Sequence, residues 1–233
     1  MKKYTDLFID FDDTLYDTHG NAEIALKELF DFFNLNQYFD KLEDFTYPYW
    51  STNIELWGQY SRGEIEREYL IVERFRRPLS LGKGLYPTKE YCMQVSDKFL
   101  DLCSVKSGLV EGARELLEYL HPRYRLHLCS NGFHEVQYKK LQASDTLRYF
   151  QEIILSEDAG YNKPNPLFFE YALQKTGAPR ETTLMIGDNF NTDIMGALSA
   201  GIDQLYFNRW DDPETHTEIT LQADHLTDII HLL

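Results

Sequence analysis

The chain has 233 residues, 38 acidic against 23 basic side chains, a formal charge of −15, and 15% aromatics. That length suits one large domain or a domain carrying an insert and can bury a core unaided, and the aromatic content excludes collagen-like and disordered classes. The longest basic cluster is Arg74, Arg76 and Arg77, which excludes a phosphate-neutralising face and hence a nucleic-acid polymer as partner.

At the start, Met1-Lys2-Lys3 is basic, but Asp6, Asp10 and Asp12 interrupt any hydrophobic leader. No run approaches the ~18 apolar residues that span a bilayer, so the expectation is a cytoplasmic protein with no membrane partner, monomeric by default. Leu7-Phe8-Ile9 is the first of five short apolar runs. The others are Leu126–Cys129, Ile153–Leu155, Leu184–Ile186 and Gln204–Phe207. Amphipathic segments lie between them at Ala113–Leu120, His134–Gln142, Pro166–Thr176 and Thr192–Ala200. This alternation predicts an α/β fold, a Rossmann-like parallel sheet buried on both faces by crossover helices. Between residues 17 and 106 the rhythm changes. Ala22, Ala25, Leu26, Leu29, Phe30 and Phe33 recur at helical spacing, as do Tyr91, Val95, Phe99 and Leu102. Glu64–Arg77 predicts a further helix stopped by Pro78. No strand is expected in this stretch, so the core comprises 1–16 and 107–233 and an all-helical insert occupies 17–106. The 16 aromatics from Phe30 to Phe99 are read mainly as the insert's own core.

The three cysteines predict no disulfide. Cys92 and Cys103 lie eleven residues apart on one predicted helix, about 16 Å, beyond bridging distance. Cys129 ends an apolar run, and no Cys/His cluster has zinc spacing.

In an open parallel sheet, ligands bind beyond the carboxyl ends of the strands. The first run leads into Asp10-Phe11-Asp12-Asp13-Thr14, the second into Ser130-Asn131-Gly132, the third is followed by Lys163-Pro164, and the fourth enters Gly187-Asp188 with Asp193 beyond. Several carboxylates at one edge need a cation or large pKa shifts. All-oxygen ligands suit Mg²⁺ where phosphate is handled, and such an ion would reverse the repulsion that a −15 chain exerts on an anionic substrate. Asp10 and Asp12, two apart on an extended segment, are expected on one side, one to attack and its neighbour to move a proton. Asp13 reads as a turn residue, and His134 as the start of a solvated helix.

Asp-Phe-Asp-Asp-Thr-Leu at 10–15 resembles the first signature of the haloacid dehalogenase-like (HAD) superfamily, Asp-x-Asp-x-Thr. Ser130 matches the second, Lys163 the third, and Gly187-Asp188 with Asp193 the fourth, each in order and after a predicted strand. The helical insert is similar to that superfamily's C1 cap. The resemblance implies Asp10 as nucleophile forming an aspartyl-phosphate and Asp12 as proton donor, then base. It implies Thr14 and Ser130, with backbone N–H groups around Asn131 and Gly132, as holders of the phosphoryl oxygens. Lys163 would stabilise their charge. Mg²⁺ would be held by Asp10, Asp188 and the backbone carbonyl of Asp12, with Asp193 a ligand, a water-mediated ligand or the residue orienting Lys163. Asp12 separates this chain from the superfamily's metal-free dehalogenases and from phosphonate-cleaving members, which lack an aspartate there. The expectation is a phosphatase for a small phosphorylated metabolite. A phosphomutase, a sugar-phosphate phosphatase and a non-enzymatic binding module on the same fold are the alternatives. Within the phosphatases, Asp10–Leu15, Ser130-Asn131-Gly132-Phe133 and the cap's size resemble the bacterial pyrimidine 5′-nucleotidase branch, which implies a nucleoside monophosphate.

Overall fold

A computed structural model describes residues 4–213 and 218–233. In chain order the elements are β1 (Asp6–Ile9), α1 (Thr18–Phe32), α2 (Glu43–Ser61), α3 (Arg67–Leu79), α4 (Lys89–Ser104), α5 (Ala113–Leu120), β2 (Arg125–Ser130), α6 (His134–Ala143), β3 (Glu152–Leu155), α7 (Ser156–Ala159), α8 (Pro166–Thr176), β4 (Thr183–Gly187), α9 (Met195–Ser199), β5 (Asp203–Phe207), β6 (Leu221–Ala223) and α10 (Leu226–Leu232). They form two compact units, Met1–Thr18 with Ser107–Leu233, and His19–Lys106.

The first unit is built on one six-stranded sheet in the order β3-β2-β1-β4-β5-β6, every pairing parallel. The strands are short and apolar because each is covered twice. Leu7, Ile9, Leu128, Ile186 and Leu205 face Leu116, Leu117 and Leu120 of α5 and Leu226 and Ile229 of α10. Phe8, Cys129 and Met185 face Phe168, Phe169 and Ala172 of α8 and Ala197 of α9. Ile9 stands level with Leu128 on one side and Ile186 on the other, so the chain leaves β1, β2 and β4 at nearly the same height. The strand order reverses at β1–β4, the switch point where a doubly wound sheet opens its crevice.

The second unit packs α1–α4 around Leu26, Leu29, Phe45, Tyr49, Phe75, Val95 and Phe99, and no strand occurs among its described residues. Here α2 goes beyond the sequence reading, since Pro48 lies inside it and masks its period. Phe45, Tyr49, Thr52 and Leu56 are nevertheless buried, and that packing outweighs one missing N–H. Pro78 does not stop α3 short, because the helix ends at Leu79 with Pro78 in its last turn. All three cysteines are buried and free.

The stretch expected as one helix over Thr192–Ala200 is a π-helical turn, Phe190–Ile194, followed by α9. A wide turn of this kind re-aims side chains and often marks a functional site. Here it carries Asp193.

Candidate active site

The site begins where β1 ends. Asp10 still follows the ladder, its N–H donating to Ile186 O at 2.9 Å. Asp13 then takes a left-handed backbone (φ 63°), and the chain doubles back so that Asp13 N–H reaches Tyr16 O at 2.8 Å. Asp tolerates that conformation and stabilises turns. Arg209 holds the turn from outside, donating to Asp13 O (3.0 Å), Asp13 Oδ1 (2.9 Å) and Asp17 Oδ1.

Two carboxylates meet at one lysine, and a third lies beside them. Lys163 is 1% exposed, and its ammonium lies 2.6 Å from Asp10 Oδ1, 2.7 Å from Asp193 Oδ1 and 2.7 Å from Cys129 O. All three of its hydrogens are therefore engaged. Burial alone would lower the Lys163 pKa, but Asp10 and Asp193 more than offset it and hold the group above its ordinary value. Asn131 fixes the lysine's backbone, its Oδ1 accepting from Lys163 N at 2.8 Å and its Nδ2 donating to Lys163 O at 2.9 Å. Asp188 joins through Thr14, whose hydroxyl donates to Asp188 Oδ1 at 2.8 Å and accepts from Asp188 N at 3.0 Å. Trp210 Nε1 reaches Asp188 Oδ2 at 3.3 Å.

Oxygen atoms of Asp10, Asp188 and Asp193 all lie within 4.8 Å of one another, and all three residues are buried. Three carboxylates beside one ammonium leave two negative charges uncompensated. Burial, then Asp193, Asp188 and Asp12, push Asp10 well above the usual carboxylate range against the pull of Lys163. Burial, then Asp193 and Asp13, push Asp188 up to about 7. A small divalent cation would remove that strain, and an all-carboxylate donor set matches the hard-ion preference of Mg²⁺.

Asp12 is placed otherwise. The expectation that it would share a side with Asp10 assumed an extended chain, and β1 ends at Ile9. Its carboxylate accepts from Lys140 Nζ (2.5 Å) and Thr18 Oγ1 (2.6 Å) on Oδ1, and from Gln137 Nε2 (2.5 Å) on Oδ2. Burial would raise its pKa, but Lys140, Thr18 and Gln137 together hold it below the ordinary value. Its side chain is not part of the three-carboxylate group, so only its backbone carbonyl would serve a metal there.

The expected phosphoryl-binding groups divide. Ser130 ends β2, and its hydroxyl oxygen accepts from Gly132 N at 3.0 Å and Gln137 Nε2 at 2.6 Å. Gly132 N–H is thus turned onto Ser130, Thr14's hydroxyl is engaged by Asp188, and the Asn131 side chain braces Lys163. Sequence reasoning missed Gln137, Lys140 and Arg209. A signal existed for two of them. Gln137 and Lys140 are three apart, hence on one helix face, and flanked by Val136 and Leu141; a wholly solvated helix would not combine that polar pair with that apolar pair.

Residues 7–201 match the family of haloacid dehalogenase-like hydrolases. The chain belongs to that family. The HAD hydrolase YfnB of Bacillus subtilis is 29% identical over 240 residues, covering 100% of this chain and 97% of its own. Its crystal structure, bound to magnesium, superposes with a TM-score of 0.88 at 28% identity over 100% of this chain and 99% of that one. The pyrimidine 5′-nucleotidase PynA of Streptococcus pneumoniae is 29% identical, covering 88% of this chain and 84% of its own. A glyceraldehyde 3-phosphate phosphatase of Methanothermobacter thermautotrophicus is 28% identical, with 87% and 84% covered. The protein is therefore a HAD-like hydrolase, and among the described residues no helix is long and apolar enough to cross a membrane.

Proposed function

We propose that this HAD-like hydrolase is a Mg²⁺-dependent phosphatase of small phosphomonoesters, working through an aspartyl-phosphate on Asp10. The observation that carries the reading is the separation of two carboxylate groups. Asp10 and Asp193 pair with Lys163 and Asp188 lies beside them, leaving two charges in excess, while Asp12 stands apart on its own lysine. The first set suits a metal-assisted nucleophile, and the second suits a proton carrier. A magnesium-bound structure of the similar YfnB supports the choice of ion.

Asp10, Asp188 and Asp193, with the backbone carbonyl of Asp12, would hold Mg²⁺, which when bound neutralises phosphoryl charge. One Asp10 carboxylate oxygen bonds to phosphorus as the bond to the leaving oxygen breaks, and Asp12, a carboxylate at rest, relays to that oxygen the proton that a monoanionic phosphomonoester carries into the site. Ser130 donates its hydroxyl to a phosphoryl oxygen, and Lys163 holds Asp10 in line while balancing the charge that develops. In the second half Asp12 takes a proton from water, the water oxygen bonds to phosphorus, and the Asp10–phosphorus bond breaks, releasing phosphate. The acidic surroundings oppose an anionic substrate, so Lys163 and the cation together make entry favourable.

Within small phosphomonoesters, a nucleoside 5′-monophosphate is the first reading, on the similarity to PynA; a sugar or triose phosphate is the second, on the similarity to the archaeal phosphatase. Phosphate release from nucleoside monophosphates, sugar phosphates and an aryl phosphate, each with Mg²⁺ and with excess chelator, tests the reading. Chelator-sensitive turnover that Asp10→Asn abolishes is expected. Turnover that survives either would refute the mechanism, and the ranking of substrates decides the class.

A further inference from the structure

Asp12 acts twice in the proposed reaction, and what holds it comes from one helix face. Gln137 and Lys140 lie three apart on α6 and are both buried. Lys140 Nζ is 2.5 Å from Asp12 Oδ1, and it also lies over the Tyr16 ring, 5.1 Å from its centroid. A carboxylate oxygen only accepts, so the part of Gln137 that faces Asp12 Oδ2 is its NH₂ group. The second hydrogen of that NH₂ goes to Ser130 Oγ at 2.6 Å.

This second bond has a consequence for Ser130. Its oxygen already accepts from Gly132 N, so with Gln137 both lone pairs are filled. The hydroxyl hydrogen can then only be donated, and among the described residues nothing accepts it. Gln137 therefore turns Ser130 into a donor facing an incoming anion, while the same amide orients Asp12. Gly132 makes room for this, since a Cβ there would lie 2.2 Å from Gln137 Nε2 and 2.5 Å from its Cδ.

Resting on the phosphatase reading above, we propose that Lys140 and Gln137 are positioning residues. Lys140 holds the Asp12 carboxylate where it reaches the leaving oxygen, and Gln137 couples that placement to the donor orientation of Ser130. Neither residue touches the reacting atoms; both act through Asp12 and Ser130.

Leaving-group dependence separates this role from a merely structural one. An alkyl phosphate departs as a strongly basic alkoxide and needs the Asp12 proton, whereas p-nitrophenolate leaves without it. The quantity to compare is kcat/KM, which reports the steps through enzyme phosphorylation, for a primary alkyl phosphate and for p-nitrophenyl phosphate. General acid catalysis supplies about 10²–10⁴-fold, so Lys140→Met should cost the alkyl ester roughly 10–100-fold more than the aryl ester. Lys140→Arg should restore most of the difference. Gln137→Leu should show the same selectivity plus a loss common to both esters, from Ser130. Gly132→Ala, which displaces Gln137 without changing a charge, should reproduce Gln137→Leu and remains informative if the Lys140 variant folds poorly. Because Lys140 works through Asp12, adding Lys140→Met to Asp12→Asn should cost nothing further.

Equal losses on both esters in Lys140→Met or in Asp12→Asn would overturn the proposal, as would additive losses in the double variant. If the wild type cleaves neither ester, or Asp10→Asn still cleaves both, the phosphatase reading falls and the proposal with it. A working wild type with unselective variants removes the proposal alone.

Discussion

A single methyl group at Gly187 tests the construction of the three-carboxylate group. Gly187 closes β4, and a Cβ built there would lie 2.3 Å from Asp193 Oδ2 and 2.6 Å from its Cβ and Cγ. No side chain tolerates such approaches, so in Gly187→Ala the Asp193 carboxylate must leave. Lys163 then keeps Asp10 and Cys129 O but loses Asp193. Forcing a methyl into a packed site costs about 1–3 kcal/mol. Breaking a buried pair outright costs about 3–5 kcal/mol, of which only part applies because Asp10 still faces the lysine. A loss of about 2–4 kcal/mol corresponds to a fall in melting temperature of roughly 5–15 °C for a chain of this size. Calorimetry reads that fall, and isothermal titration should show Mg²⁺ affinity reduced as well, since one of three carboxylates has moved. Gly58→Ala is the control. Gly58 lies inside α2, where a Cβ meets only the far end of Arg62 at 3.3 Å, and alanine there should be neutral or stabilising by up to about 1 kcal/mol. A Gly187→Ala protein that melts and binds Mg²⁺ like wild type would refute the placement of Asp193.

Mg²⁺ should stabilise the folded protein by about 1.4 kcal/mol for each tenfold rise above its Kd, seen as a melting temperature that climbs with the ion and does so less in Asp188→Asn; a melting temperature indifferent to Mg²⁺ would contradict the charge count. Inorganic phosphate, a dianion entering a site two charges negative, should raise the melting temperature further only when Mg²⁺ is present, and stabilisation in chelator would count against that order. At the other end of the strands, His127 is buried against Asp6, with Arg125 and Glu152 nearby and Nδ1 without a partner. Burial lowers its pKa despite Asp6. The unfolded chain then takes up a proton first as pH falls below about 6.5, so stability should drop by at most about 1.4 kcal/mol per pH unit there; urea unfolding at pH 7 and 5.5 should show a smaller difference in His127→Gln. In the helical unit Arg74 is 3% exposed, bonds Ser96 Oγ at 2.9 Å and leaves Nε without a partner. Among the described residues no carboxylate pairs with it, so Arg74→Met should be neutral or stabilising, and a loss above about 2 kcal/mol would show that the guanidinium is better compensated than its bonds indicate.

Five of the six strands and most helices were legible because their apolar periods are imposed by burial on both sheet faces, a constraint written locally. Strand β6 was missed. It contributes only Leu221 and Ala223 as apolar residues at an edge, too short a run to carry a period. The α2 helix was hidden because Pro48 contradicts its propensity while long-range contacts of Phe45 and Tyr49 sustain it. At the site, the residues following strand ends were readable, since topology alone brings Asp10, Ser130, Lys163 and Asp188 to one edge. Their partners were not. Thr14 could be foreseen at the site but not its engagement with Asp188, because which acceptor a hydroxyl finds depends on the Asp13 turn. Gln137 and Lys140 lie seven and ten residues beyond Ser130, and only the folded register of α6 brings them to Asp12.

The two lysines divide the work in a way charge alone demands. One ammonium shared among four carboxylates would leave the proposed proton-transfer group, Asp12, competing with the proposed nucleophile, Asp10, for the same cation. Lys163, locked by Asn131 and Cys129 O, compensates a set that still lacks two positive charges and so invites a divalent ion. Lys140 compensates Asp12 one for one, leaving its carboxylate no electrostatic reason to join the metal set. Because Asp12 is held from α6 and the others from β1, β4 and the Lys163 loop, the distance between nucleophile and proton carrier is set by packing of the α/β core. In the proposed reaction, that arrangement lets one aspartate stay committed to phosphorus while its neighbour, two residues on, exchanges protons with the leaving group and with water.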